Sequence, residues 1–178
     1  MVIKLKLKYL ILLAFLGLPF LFSSTANAEV YIGLATTQIQ IKTNTGSTRP
    51  LMADARFGYR LNAHKFELAV MSSVKDDNLN QLVIDVPIAT SLLYRYTTNP
   101  RSPIRVDFIL GYSQVDIKSS YIDIPESTET FRGVSFGIGF EQSLDSIRQL
   151  KFKIDLMQMY RGDQLDINAI TLGFRYEF

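Results

Sequence analysis

Asp54 and Arg56, Lys65 and Glu67, Arg105 and Asp107, Lys153 and Asp155, and Arg175 and Glu177 each set an acid and a base two residues apart. In an extended chain that spacing puts both side chains on one face. Arg60, Asp85, Arg95, Glu141 and Lys151 fall on the same face of their own segments, giving seven acids against eight bases. Charges so arranged could do three kinds of chemistry. Brought face to face in a confined space they would pair. Lining a channel they would select ions. Beside a substrate, a carboxylate could act as a general acid or base. The signs nearly cancel, so pairing is the expected use. Arg56, Arg95, Arg105 and Arg175 are its expected hubs, because a guanidinium can bridge carboxylates on two neighbouring strands.

The remaining candidates are sparse. The single histidine is His64, and there is no cysteine. Asp76-Asp77-Asn78 groups hard oxygen donors, but the spacing of a calcium loop is missing, so no metal or other cofactor is expected. Arg161-Gly162-Asp163 spells the integrin-recognition tripeptide, and Gly-Asp is equally an ordinary turn pair.

The elements that would carry these residues read as strands. Eight segments alternate between large apolar and polar or small residues: 30–42, 50–61, 65–74, 82–96, 104–117, 130–142, 148–160 and 166–178. Sustained alternation argues strands with one apolar face. In 50–61, Leu51, Ala53, Ala55, Phe57, Tyr59 and Leu61 oppose Met52, Asp54, Arg56, Gly58 and Arg60; in 82–96, Ile84, Val86, Ile88, Leu92, Tyr94 and Tyr96 oppose Asp85, Ala89, Ser91 and Arg95. The segments are longer than the five or six residues common in globular strands and reach the roughly 9–11 needed to cross a bilayer. Tyrosine and phenylalanine gather near the segment ends, as in an interfacial girdle. The expected fold is therefore all-β: an eight-stranded antiparallel up-and-down transmembrane β-barrel. Closure removes the edges that such long strands would otherwise expose. Short connections at 62–64, 98–103 and 144–147 are assigned to the periplasmic side with both termini. Those at 43–49, 75–81, 119–129 and 161–165 are assigned outward.

Residues 1–28 read as a signal peptide. Lys4, Lys6 and Lys8 precede the apolar run Tyr9 to Phe22, and Ala26-Asn27-Ala28 supplies a cleavage site. The run is too short for a spanning helix. Residues 29–178 would then form one domain. Its 16 Lys and Arg against 17 Asp and Glu turn the formal charge of +2 into −1. Nothing in that balance points to nucleic acid.

The segments "YIG" at 31–33, "GYRLN" at 58–62, "LGYS" at 110–113, "GVSFGIGFE" at 133–141 and "ITLGFRYEF" at 170–178 resemble the small eight-stranded outer-membrane barrels of Gram-negative bacteria, the OmpA/OmpX-like group. The likeness covers residues 29–178. It implies an integral place in the outer membrane among lipid and lipopolysaccharide, and insertion by the barrel assembly machinery. Tyr176 and Phe178 resemble the terminal aromatic signal which that machinery reads. The group carries many functions on one scaffold. The expected role is non-enzymatic: envelope structure, or binding of a host or cell-surface ligand through the outer loops. A narrow solute pore is the alternative. A lipid A deacylase on this scaffold needs a His beside a Ser on the outward side, whereas His64 falls in an expected periplasmic turn.

The terminal aromatics yield a direct expectation. Deleting Phe178, or replacing it with Asp, slows membrane insertion and leaves export intact. Heat-modifiable gel mobility of outer-membrane fractions reads this out, and normal amounts of folded barrel would refute the assignment.

Overall fold

The computed structural model describes residues 28–79, 81–121, 124–144 and 146–178. The expected signal peptide lies outside these up to residue 27. Ten strands form in chain order: β1 (Ala28–Thr43), β2 (Gly46–Thr48), β3 (Leu51–Leu61), β4 (His64–Lys75), β5 (Asp77–Leu79), β6 (Leu82–Thr98), β7 (Ile104–Tyr121), β8 (Ile124–Leu144), β9 (Ile147–Arg161) and β10 (Leu165–Glu177). Eight are long and pair antiparallel in the sequence β1, β3, β4, β6, β7, β8, β9, β10. The ladder from Tyr31↔Glu177 to Thr43↔Leu165 joins β10 back to β1 and closes the barrel. The eight expected segments are these eight strands.

The ladder also fixes the strand tilt. From Phe140 it passes through Ile154, Leu172 and Thr36, then Ala53, Ser72, Ile88 and Asp116, and returns to β8 at Thr130, ten residues from its start. Such a stagger goes with strands tilted by roughly 40° to the barrel axis. On β10 the outward apolar residues run from Ile170 to Phe178. Nine residues span roughly 30 Å of strand. At that tilt they cover a little over 20 Å of height, near the roughly 25 Å apolar band of such barrels.

At one end, the turn end, lie both ends of the described chain, the connections at 62–63 and 99–103, and residue 146 before β9. Asn62 (φ 56°) and Asn99 (φ 50°) take the left-handed conformation that asparagine tolerates. The opposite, loop end departs from expectation. Segments 43–49, 75–81 and 119–129 are largely strand. β2 pairs with β1 and β5 with β6. β7 and β8 stay paired as far as Tyr121↔Ile124. The barrel wall therefore continues past the apolar band where outward-facing loops were expected.

The alternation that builds the strands changes phase along them. On β7, Val106, Phe108, Leu110 and Tyr112 point outward against inward Arg105 and Asp107; further on, outward Gln114 and Asp116 oppose buried Val115 and Ile117. On β9, outward Ile154 and Leu156 give way to Gln158, while inward Lys153 and Asp155 give way to buried Met157 and Met159. The turn half is thus polar inside and apolar outside. The loop half is the reverse, like a water-soluble barrel. Its core holds Ile39, Met52, Met71, Val86, Val115, Met159 and Ile167.

Glycine makes room inside. A Cβ on Gly58 would strike the Tyr31 ring, and one on Gly139 would meet Arg95 and Asp155. Gly58→Leu therefore overpacks the turn half, at a cost of about 1–3 kcal/mol. Ala55→Leu, on the outward face of the same strand, is expected to be near neutral. Urea unfolding of the refolded barrel in lipid vesicles compares the two, and equal midpoints would contradict this packing.

Candidate functional site

The inward positions of the turn half bring most of the spaced charges together. Arg56 and Arg95 are central because the strands around them present carboxylates from several sides. Arg56 reaches Asp54, Glu67 and Asp155, each at 2.7 Å. Arg95 reaches Asp155 at 2.6 Å, Asp107 at 2.9 Å and Glu67 at 3.3 Å. Lys153 adds Asp155 at 3.2 Å and Glu67 at 3.9 Å. Lys65 bonds Asp107 at 2.9 Å and also Glu141. Arg175 bonds Glu141 at 2.7 Å and Glu177 at 2.5 Å. Toward the turn-end mouth, Glu177 also meets Arg60 at 3.2 Å and Lys151 at 3.6 Å, and Arg60 meets Glu29 at 2.9 Å. The side chains of Arg56, Lys65, Glu67, Arg95 and Asp155 are at most 1% exposed.

Neutral residues complete the network. The Tyr31 hydroxyl donates to Glu67 at 3.1 Å, and the Arg175 guanidinium lies 4.5 Å over the Tyr31 ring. Thr37 donates to Asp54 and Thr97 to Asp107, at 2.8 and 2.7 Å. Further toward the loop half, the hydroxyls of Ser91, Ser113 and Ser135 bridge β6, β7 and β8 at 2.7 and 2.5 Å. Beyond them lies the apolar core. Residue type alone did not single out Tyr31, Thr37 and Thr97. Their signal is phase: Tyr31 and Thr37 share the inward side of β1 with Gly33, and Thr97 shares that of β6 with Arg95.

Two expected members stand elsewhere. Asp85 is not in the lumen. The β6–β7 register shifts between Asp85 and Ile88, so Val86 and Ala89 both become buried. Val86 is thereby an inward residue, against its expected outward place. Asp85 sits opposite Lys118 and accepts a hydrogen bond from Ser73. Pro87, which has no N–H to donate, lies within this irregularity. Arg105, expected as a hub, forms no ion pair among the described residues; its Nε donates to the Ser102 carbonyl at 3.1 Å. Without Asp85 the lumen holds eight bases against six acids, Asp54, Glu67, Asp107, Glu141, Asp155 and Glu177, with Glu29 at the rim.

The other candidates lie apart. His64 starts β4 at the turn end, with Nδ1 2.7 Å from the Tyr94 hydroxyl. Among the described residues no cluster of His, Asp and Glu could hold a metal. Arg161 ends β9, and Gly162 and Asp163 form the turn that the Gly162 N–H closes on the Leu165 carbonyl at 2.9 Å. Tyr176 points outward from β10, and Phe178 packs edge-on against it at 5.1 Å.

Residues 10–178 match the family described as Outer membrane protein beta-barrel domain. A search of curated protein sequences gave no match. Solved structures share the fold. Ail, the attachment invasion locus protein of Yersinia pestis, in complex with the heparin analogue sucrose octasulfate, superposes with a TM-score of 0.64 at 14% identity, over 85% of this chain and 99% of that one. Neisserial surface protein A gives 0.64 at 12% identity over 85% and 99%. The N-terminal β-barrel domain of Pseudomonas aeruginosa OprF gives 0.59 at 14% identity over 87% and 100%.

Removing one hub leaves its carboxylates buried and under-paired. Arg56→Met is expected to destabilise the barrel by about 3–5 kcal/mol, and Arg60→Met, at the wet mouth, by about 1 kcal/mol or less. Unfolding free energies in lipid vesicles check the ranking, which fails if Arg60→Met is the costlier change.

Proposed function

The chain belongs to the Outer membrane protein beta-barrel domain family, and on that basis we propose that it is a closed, non-enzymatic barrel that acts through its surfaces. In this reading residues 1–28 direct export and are removed, and Tyr176 and Phe178 mark the chain for the barrel assembly machinery. The turn end with both termini faces the periplasm. Lipid and lipopolysaccharide surround the apolar band, and the loop end stands outside the cell. Its role is envelope integrity or attachment to a host or cell-surface ligand. No nucleic acid takes part.

The observation that carries this reading is the filling of the lumen by two different fillings in series. The ion network occupies the turn half, and Ile39, Met52, Met71, Val115, Met159 and Ile167 occupy the loop half, each at most 1% exposed. An eight-stranded interior is wide enough for side chains and little more. Solute transport then has no path, and binding is left to the outer faces. The complex of Ail with a heparin analogue supports a surface-binding role for a barrel of this shape. The tripeptide Arg161-Gly162-Asp163, at the loop end, is one surface such a ligand would meet.

Planar-bilayer recording of the purified barrel tests the closed lumen. The expected result is no long-lived openings. Frequent openings at a conductance comparable to general porins would replace this reading with the pore. Attachment that is lost on deleting the gene and restored by the Asp163→Glu protein would keep the surface role and remove the tripeptide from it.

A further inference from the structure

Arg105 poses a problem that the ion network does not solve. It lies at the turn-end mouth, 9% exposed, and its Nη1 is buried without a hydrogen-bond partner. Glu141 stands opposite it in the β7–β8 ladder, Arg60 and Arg175 act on it as like charges, and Glu177 acts as an opposite one. Both carboxylates are already engaged, Glu141 by Lys65 and Arg175, and Glu177 by Arg175, Arg60 and Lys151. Lys151 also acts on Arg105 as a like charge. The second orphan donor of the lumen, Arg175 Nε, belongs to the same cluster. A buried cation needs a counter-charge, and among the described residues the carboxylates around it are already paired.

We propose that the turn-end mouth is an oxyanion site. A carboxylate or phosphate group seated there takes the free edge of the Arg105 guanidinium, with Lys151 and Arg60 adding charge. Arginine suits the task because its planar donors match the oxygens of either group. The mouth is reachable from water: the Glu29 carboxylate that flanks it through Arg60 is 44% exposed. Arg105 Nε donates to the Ser102 carbonyl in the 99–103 turn at 3.1 Å, which anchors the guanidinium. The site is separate from the loop-end surface, so the barrel would carry one binding face at each end.

Isothermal titration of the refolded mature chain in detergent tests this, with inorganic phosphate and acetate as probes against sodium chloride at equal ionic strength. The expected result is saturable binding of at least one oxyanion. Folded Arg105→Gln weakens it by at least about tenfold, the worth of one charge-assisted hydrogen bond. Lys42→Gln, on the exposed face of the loop end, leaves it unchanged. Binding of phosphate alone identifies a phosphorylated ligand, and acetate binding of equal strength identifies a carboxylate. If Arg105→Gln yields no heat-modifiable barrel, Lys151→Gln carries the comparison. No saturable binding by the unsubstituted protein, or unchanged affinity in the folded variant, overturns the site.

Discussion

Charge confined inside a sheet that is itself surrounded by hydrocarbon has to be matched within the sheet. The rest of the structure follows from this requirement. An open sheet could not meet it, because an unpaired edge in lipid costs every unmet backbone group its hydrogen bond. Closure of β10 on β1 removes the edge and at the same time brings Arg175 and Glu177 into reach of charges from β3, β8 and β9. Arg56 and Arg95 each spread their donors over three carboxylates from three strands, where Lys65 and Lys153 each reach two. Glycine at 58 and 139 yields the volume that Tyr31 and Arg95 occupy.

Above the charges the requirement reverses. Once the wall leaves the apolar band, water solvates its outer face and the interior fills with Met, Ile and Val instead of ions. Burying apolar surface there is favourable for the ordinary reason. The barrel thus joins a membrane protein to a soluble one end to end, through the serine row of β6, β7 and β8. This explains how strands such as β7 and β8 can exceed the span of a membrane without exposing a greasy edge.

Much of this was legible in the residues. Strand number, order and approximate bounds follow from alternation, and the convergent charges from their two-residue spacing. The phase change was also present, in Leu110-Gly111-Tyr112 against Gln114-Val115-Asp116, but a single inward and outward assignment per strand obscures it. Asp85 shows the limit most clearly. Its inward place assumed unbroken alternation from Tyr96 back to Leu82, and the irregularity beside Pro87 breaks it, taking Val86 inside. Arg105 marks another limit: spacing predicts that a cation faces the lumen, but only the packed structure shows that the acids within reach are already taken. The short strands β2 and β5 carry too few residues for alternation to register at all.

Because the chain has no cysteine, single cysteines can be placed along β7 without background. Labelling positions 108, 110, 112, 114, 115 and 116 with a fluorophore, and comparing quenching by a lipid-borne and a water-soluble quencher, reads the two faces of the wall directly. The two-part barrel predicts lipid access at Phe108, Leu110 and Tyr112, water access at Gln114 and Asp116, and protection from both quenchers at Val115. Lipid quenching that continues through Gln114 and Asp116, or water reaching Val115, would contradict it.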